Sequence, residues 1–590
     1  MKQIIFIITF LFVAIFIGCS KDDTQTSFGQ TAGKNIEQPV SFNLEEYAAR
    51  SFNYFNKMVD KDNVPYFNIF WTDPAEAVHD WPDLHDVMAR QLQGIIFGRK
   101  MTGIVSDIED IWYKKTLSRI QPNGLVLASS HKLKWDEYEE TAQGLVFYAL
   151  VTAYVDNPNK DLKNIIEKMC VAAANTNKGG LTIKGLMAAV RYAGVNDALK
   201  LSKSYVDAVW VNGKFFSPDN NFKHGGHMHG DINLLMGLAD YALYMGDPIL
   251  FSRVEALLRY VKSLSTSFGF IPEDVGRKDD ITLCETCALM DYMALLVTMA
   301  NHGHPEYWHD AERLVRNQLA ESQLIDPSFI KSDNTKEDTE QFSWRDIGER
   351  MVGAYAGWSS PTHFLAAEEY SRWGGPELQG KTRLFQNCCG GSGTFAHYIA
   401  WKNAVEWKDN TFYVHMHIDK LTPWAKVRCL QPYRGETSVT LTKDCSLKIR
   451  IPNFAMGKEF AVTVNGEKKE YTVWGNYLEL DNLSDGDKVQ FTYPLDIVTE
   501  DVTLEAPGGR KYRYKVEWKG DMVISIEPIG KQYTTGYSEV EKRQVPVYYG
   551  KTGPGRLYQR EYMRKNIDPT PAPLTMDDGS MNFWRSLNIK

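Results

Sequence analysis

Between Leu44 and Trp407, apolar residues recur every three to four positions in segments such as Leu84–Met101, Tyr138–Val155, Leu162–Ala174, Asp231–Met245, Leu250–Leu264, Thr286–Ala300 and Tyr307–Leu319. That period predicts helices packed by one face. Most segments stop at a breaker, as in Met245-Gly246-Asp247-Pro248 and Asn301-His302-Gly303-His304-Pro305, where glycine and proline end a helix. About ten helices follow one another with no strand pattern between them, and no repeat of about 34 or 40 residues marks a TPR or HEAT array. Long loops carrying Trp, His, Asp and Glu interrupt the helices. The reading is a mainly α fold, an α/α barrel (toroid) with a central cleft, over residues 41–407.

After Trp407 the period becomes two. Thr411–His417, Ala425–Leu430, Ser438–Leu441, Ser446–Ile451, Glu459–Val464, Tyr471–Trp474, Tyr477–Leu480 and Lys488–Tyr493 are short, β-branched or aromatic, and separated by turns such as Asn465-Gly466 and Asp485-Gly486. This predicts a β-sandwich over 408–530. The Pro/Gly/Arg-rich stretch 531–590 is expected to be irregular.

The N-terminal segment carries a different signal. Lys2 precedes an apolar run from Ile4 to Gly18, too short to span a bilayer, which takes ~20 residues, but suited to a signal-peptide core over 1–18. Phe16-Ile17-Gly18-Cys19 resembles a bacterial lipobox, with Phe16 where Leu is usual. The expectation is lipidation of Cys19, a flexible tether over 19–40, and a protein anchored in the bacterial envelope, touching the membrane through its lipid alone.

Composition narrows the partners. Of 590 residues, 66 are Lys or Arg and 74 are Asp or Glu, a net charge of −8. No basic stripe overrides that balance, so nucleic acid is excluded as a partner. The aromatic content, 15 Trp, 30 Tyr and 28 Phe, suits stacking on sugar rings, although most aromatics in any fold are core.

Eight cysteines leave seven once Cys19 is lipidated, an odd number without disulfide-like spacing. Two clusters stand out, Leu283-Cys284-Glu285-Thr286-Cys287 and Asn387-Cys388-Cys389-Gly390. Three thiolates with a carboxylate form a tetrahedral zinc set, here Glu285, Cys287, Cys388 and Cys389. Residues two apart on a helix point about 200° apart, so Glu285 and Cys287 share an ion only if that segment is extended or just entering its helix. Cys284 and Cys287, three apart, make a four-cysteine site the rival. Buried free thiols and a disulfide remain open beside the metal.

The pairing of Cys284-Glu285-Thr286-Cys287-Ala288 with Asn387-Cys388-Cys389-Gly390 resembles glycoside hydrolase family 127, which includes β-L-arabinofuranosidases. The resemblance covers residues 40–500 and implies an α/α barrel followed by β-sandwich domains. It implies zinc on Glu285, Cys287, Cys388 and Cys389, with Cys388 as a nucleophile that forms a thioglycosyl intermediate. Gly226-His227, thirteen residues before Asp240, resembles the family's substrate-side Gly-His. One departure stands out: the family's acid/base glutamate lies sixteen residues before the metal-binding one, and that position here is Gly269. Glu273 and Asp274 are the nearest replacements, and Glu273 is taken as the acid/base.

Other candidates accompany these. Lys223–Asp231 holds His224, His227 and His229 among glycines that admit close approach. His227 and His229 are read as acid/base candidates and His224 as a substrate contact, against the alternative of a plain polar loop. His85, in Trp81–Asp86, and Arg345, in Trp344–Met351, are read as substrate-binding, although such arginines are more often structural ion pairs.

Three functions follow from this reading. The first is an exo-acting glycosidase that removes a terminal sugar from oligosaccharides. A second is a dehydratase or lyase acting on a terminal uronic acid, with His227 or His229 as base, an acidic substrate and no need of a carboxylic acid at position 269. The third is a non-catalytic glycan-binding lipoprotein.

Overall fold

The computed structural model describes residues 40–583 except 71–73, 81–82, 128–139, 176–179, 212–225, 274–282, 358, 365–382, 506–510, 528–531, 539–542, 550–554 and 582. The expected signal peptide, Cys19, most of the tether, His224 and Asp274 lie outside the described residues. No helix among those described is long and apolar enough to cross a membrane.

Six helices form a closed inner ring: Asp86–Thr102, Glu140–Asp156, Ile183–Ala188, Met228–Met245, Thr286–Asn301 and Cys388–Asn403, each packed on the next and the last on the first. Outer helices Leu44–Lys57, Asp107–Ser118, Lys160–Asn175, Asn196–Val211, Pro248–Leu264 and Tyr307–Leu314 back them. This is the expected α/α toroid. The burial pattern explains the division. Thr286–Asn301 is buried along almost its whole length, whereas Leu44–Lys57 and Pro248–Leu264 bury one face. Capping sets the boundaries. Asn43 Oδ1 accepts the Glu46 N–H at 2.9 Å, Asp247 Oδ1 accepts those of Ile249 and Leu250 at 3.1 and 3.0 Å, and Gly246 ends the preceding helix in the left-handed region.

The expectation of no strands among the helices needs correction. A four-stranded sheet, in the order Phe342–Ser343, Glu76–Val78, Asn68–Phe70, Arg383–Gln386, is inserted in the helical region. Its strands are two to four residues long and drawn from distant parts of the chain, too short to show alternation. The Arg383–Gln386 strand pairs with Asn68–Phe70 and leads directly into the Cys388–Asn403 helix.

That helix ends the barrel, and the first sandwich strand, Val405–Lys408, follows at once. A five-stranded and a six-stranded sheet share one apolar core, in which Phe412, Leu447, Ile449 and Leu478 of one meet Val427, Val439, Val489 and Phe491 of the other. A buried ionic cluster ties sandwich to barrel. Glu312 Oε1 accepts from Arg316 Nε at 2.8 Å, Glu312 Oε2 pairs with Arg450, and the same oxygen accepts the His417 N–H at 3.1 Å.

The region read as irregular is also partly ordered. Gln532–Ser538 and Arg543–Tyr549 pair as an antiparallel hairpin. Beyond it the chain returns to the barrel, where Phe583 is fully buried among the rings of Phe97, Tyr148, Tyr192 and Phe395. Tyr398 Oη donates to the carbonyls of Met581 and Phe583 at 3.4 and 3.3 Å. Phe395 lies six residues, about 9 Å of helix rise, beyond Cys389. Phe583 therefore plugs the bore beyond the first turns of the inner helices.

Candidate metal and catalytic centre

Four inner helices begin at one place. Their first turns carry His85–Arg90, His227–His229, Glu285–Cys287 and Asn387–Cys389. Unpaired N–H groups at helix starts carry partial positive charge, roughly half a unit per helix, so the fold favours anions there before any side chain is counted.

Backbone pairing aligns the acids. Met228 N–H donates to the Glu273 carbonyl at 2.7 Å, and Glu273 N–H to the Leu283 carbonyl at 2.6 Å. Glu285 caps its helix from extended backbone, φ −97° and ψ 130°. It thus meets the condition that lets residues two apart share a ligand. In the same extended stretch, neighbouring side chains alternate. Cys284 instead bridges to Ser359 through its backbone and has no place in the donor cluster, which favours the Glu285 set over the four-cysteine rival.

The donor atoms of Glu285, Cys287, Cys388 and Cys389 lie within 4.8 Å of one another, all buried. Cys287 Sγ is 3.4 Å from Cys389 Sγ and 3.9 Å from Cys388 Sγ, and the vicinal sulfurs are 3.9 Å apart. Glu285 Oε1 is 3.8 Å from both Cys388 and Cys389. All seven described cysteines are free. A tetrahedral ion with Zn–S near ~2.3 Å sets its sulfurs about 3.7 Å apart. The donor set fits zinc in kind, number and spacing.

Protonation follows from the surroundings. Hydrogen bonds from Cys287 and Cys389 outweigh burial and push the Cys388 thiol down to about 6, with help from Arg90. Burial holds Cys287 and Cys389 well above the usual thiol range. Of the three sulfurs, Cys388 is the one held below the usual thiol range.

Glu273 stands beside this set. It is 1 % exposed, its Oε1 is 2.5 Å from His227 Nε2, and neither oxygen completes a well-angled hydrogen bond. His227 Nε2 also reaches Glu285 Oε2 at 3.1 Å. Burial, and then the Glu285 charge, raise Glu273 far above the usual carboxyl range. Burial acts the same way on Glu285, but the hydrogen bond from His227 and the charge of that imidazole override it and hold Glu285 well below the usual carboxyl range. Two carboxyl groups pushed apart in this way are a pattern of acid–base sites. The His227 side chain, 54 % exposed, marks the open side. Gly269 is turned elsewhere: its φ is +89°, and a Cβ there would meet the Leu314 backbone at 2.9 Å, so no side chain from 269 reaches the cluster.

Three expected residues take other places. His229 has both ring nitrogens engaged, Nδ1 with Asp291 Oδ2 at 2.7 Å and Nε2 with Arg90 Nη1 at 3.0 Å, which leaves no lone pair to act as a base. Arg345 is half exposed and pairs with Glu337 at 3.3 Å on the surface. His85 is buried at the N-cap of its helix and supplies no donor to either cluster. Arg90, Asp291 and Lys184 were missed. The available signal was a charge set within an apolar run, as in Leu289-Met290-Asp291-Tyr292-Met293.

The glycines after Cys389 serve packing. A Cβ at Gly391 would land on the Arg90 carbonyl, and one at Gly94 would lie 2.5 Å from Gly391 Cα. The two helices therefore cross backbone to backbone, which brings Arg90 up to the cysteines.

No family model matches the sequence, and no curated protein matches it. Solved structures do. The GH127 β-arabinofuranosidase BT3674 aligns with a TM-score of 0.55 at 15 % identity, over 91 % of this chain and 99 % of its own. Ara127N, a GH127 β-L-arabinofuranosidase from Geobacillus stearothermophilus T6, aligns at 0.52 and 14 %, over 88 % and 92 %. A third structure, titled glycoside hydrolase, aligns at 0.54 and 14 %, over 87 % and 100 %. The chain has the fold of the GH127 β-L-arabinofuranosidases, an α/α toroid followed by β-sheet domains.

Proposed function

We propose that this protein is a retaining exo-glycosidase with Cys388 as nucleophile and Glu273 as acid/base, acting on a terminal arabinofuranose-like sugar. The observation that carries the reading is the meeting of a poised thiol and a protonated buried carboxyl group around one shared residue, Glu285. In the first step Cys388 Sγ bonds to the anomeric carbon as the glycosidic C–O bond breaks, and Glu273 gives its proton to the departing oxygen. In the second, Glu273 takes a proton from water, whose oxygen displaces sulfur at the same carbon. His227 holds the Glu273 carboxyl group toward the bond being broken. Glu285, Cys287, Cys388 and Cys389 would hold zinc, which when bound supplies charge that keeps the sulfurs deprotonated and tempers their nucleophilicity.

Exo action is supported by the filled bore. Lys184 and Asp291 meet inside the ring at 2.5 Å and Phe583 plugs the bore among Phe97, Tyr148 and Phe395, so a pocket entered past His227 would take a chain end. The elimination reading has less support, because His227 lies between two carboxyl groups and His229 has no free nitrogen. Anchoring of the protein in the bacterial envelope through Cys19 belongs to the same proposal.

Incubation with arabinofuranose-terminated oligosaccharides tests it. Release of free sugar with retained anomeric configuration, lost in Cys388→Ala and Glu273→Gln, is the expected result. A product absorbing in the ultraviolet would establish elimination instead. No conversion of any glycan, with binding unchanged by either substitution, would leave a glycan-binding protein.

A further inference from the structure

We infer that Arg90 is a positioning residue for the thiolate cluster, aimed at it by a buried chain of charges, Lys184–Asp291–His229, that crosses the barrel core. The inference rests on reading Glu285, Cys287, Cys388 and Cys389 as a metal-binding set.

The chain is continuous. Lys184 Nζ lies 2.5 Å from Asp291 Oδ1, with side chains 1 % and 0 % exposed. Asp291 Oδ2 accepts the Nδ1 proton of His229 at 2.7 Å, and Asn233 Nδ2 adds contacts of 3.4 Å to both Asp291 oxygens. With Nδ1 as donor, the lone pair on His229 Nε2 faces Arg90 Nη1 at 3.0 Å. That same guanidinium nitrogen lies 3.4 Å from Cys287 Sγ, while Arg90 Nε bonds Asp86 Oδ1 at 3.0 Å. Asp291 sits one helical turn after Cys287, so both point toward the bore.

Charge gives the arrangement its purpose. Three thiolates and a carboxylate bring four negative charges to a divalent cation, an excess of two. Helix N-termini contribute only partial charges, and a guanidinium against Cys287 removes one full unit. Its planar fork serves Asp86, His229 and Cys287 at fixed angles, which an ammonium group does not. A Lys–Asp pair with no water access is weak evidence for stability alone. Here its effect is to fix the tautomer and tilt of His229, and through it the direction of Arg90. Arg90 makes its direct sulfur contact with Cys287, a proposed ligand, rather than with Cys388, the proposed nucleophile.

The test uses the full-length protein and two readouts besides turnover: zinc affinity by chelator competition, and the sulfur-to-cobalt absorption of cobalt-loaded protein. Arg90→Gln is expected to weaken zinc ~10- to 100-fold, the usual range for partners of metal ligands, and to shift the cobalt band. Arg90→Lys recovers part of the affinity, and Asp291→Asn moves both readouts in the direction of Arg90→Gln. Unchanged affinity and spectrum in Arg90→Gln overturn the inference. If that variant does not fold, unchanged values in Asp291→Asn overturn it. Wild-type protein that binds neither zinc nor cobalt removes the metal reading and this inference together. Wild-type binding with inert variants removes this inference alone.

Discussion

Cys287 and Cys389 hold their sulfurs 3.4 Å apart across 102 positions of chain. The contact joins the first turns of two neighbouring inner helices. It depends on the short strand Arg383–Gln386, which fixes where the second helix starts: Asn387 donates its N–H to the Phe67 carbonyl at 2.7 Å and its Nδ2 to the Tyr66 carbonyl at 2.8 Å. A sheet edge thus sets the spacing of a sulfur cluster inside a helical barrel.

Metal content separates the cysteines. Cys389→Ala is expected to abolish tight zinc binding, whereas Cys284→Ala leaves one zinc per chain, as read by elemental analysis after dialysis. Ligation displaces thiol protons, and burial raises Cys287 and Cys389, so affinity rises with pH. Equal loss in both variants would return Cys284 to the ligand set.

The acid role of Glu273 has a kinetic signature. Its carboxyl group is raised by burial and by the Glu285 charge, so the protonated form persists above the usual carboxyl range, and kcat/KM falls as pH climbs past that raised value. Glu273→Gln is expected to lower kcat by ~10²–10⁴-fold and to erase that basic limb. A variant that keeps the limb assigns it to another group.

Acid stability is expected to depend on Glu312. Burial disfavours its charge, but Arg316 and Arg450 override this and hold it at about 2. A folded value below the unfolded one, about 4.5, stabilises fully above pH 4.5, and the contribution is lost as pH falls toward 2. Glu312→Gln leaves two buried guanidinium groups without their anion and is expected to cost ~3–5 kcal/mol at neutral pH. Urea melts of both proteins at pH 7 and pH 3 check this: the gap should narrow in acid.

Gly391→Ala is expected to destabilise by ~1–3 kcal/mol or more, since its methyl group meets backbone rather than a movable side chain. Zinc affinity should fall too, as the helix bearing Arg90 is pushed away. A thermal melt matching wild type would show that the two helices can part without cost.

Phe583→Ala tests the plug of the bore. Removing a fully buried ring usually costs ~3–5 kcal/mol, and the loss should appear in the melting of the helical domain rather than of the sandwich alone.

Much of this was legible in the chain. The helical period of Thr286–Ala300 and the Glu-x-Cys and Cys-Cys pairs identified the inner helices and the donor set, because both are local patterns. The partners of His229 and Arg345 were not legible, because a sequence shows a residue's chemistry but not what it meets. Asp291, which engages His229, lies 62 residues further along the chain. Arg90 left no trace of its role, since only the glycine crossing with the Cys388–Asn403 helix brings it to the sulfurs. The four-stranded sheet was invisible because its strands gain their hydrogen bonds from one another and carry almost no period of their own.

Phe583 also sets a timetable. The last inner helix ends at Asn403, and the ring that closes the bore follows 180 residues later. At ~5–20 residues per second of synthesis, the helices can assemble roughly 10–35 s before their seal emerges. During that interval Phe97, Tyr148 and Phe395 face an open hole. The nascent barrel is therefore sticky for as long as its sandwich is being made, and a holding chaperone would find its target in that aromatic ring.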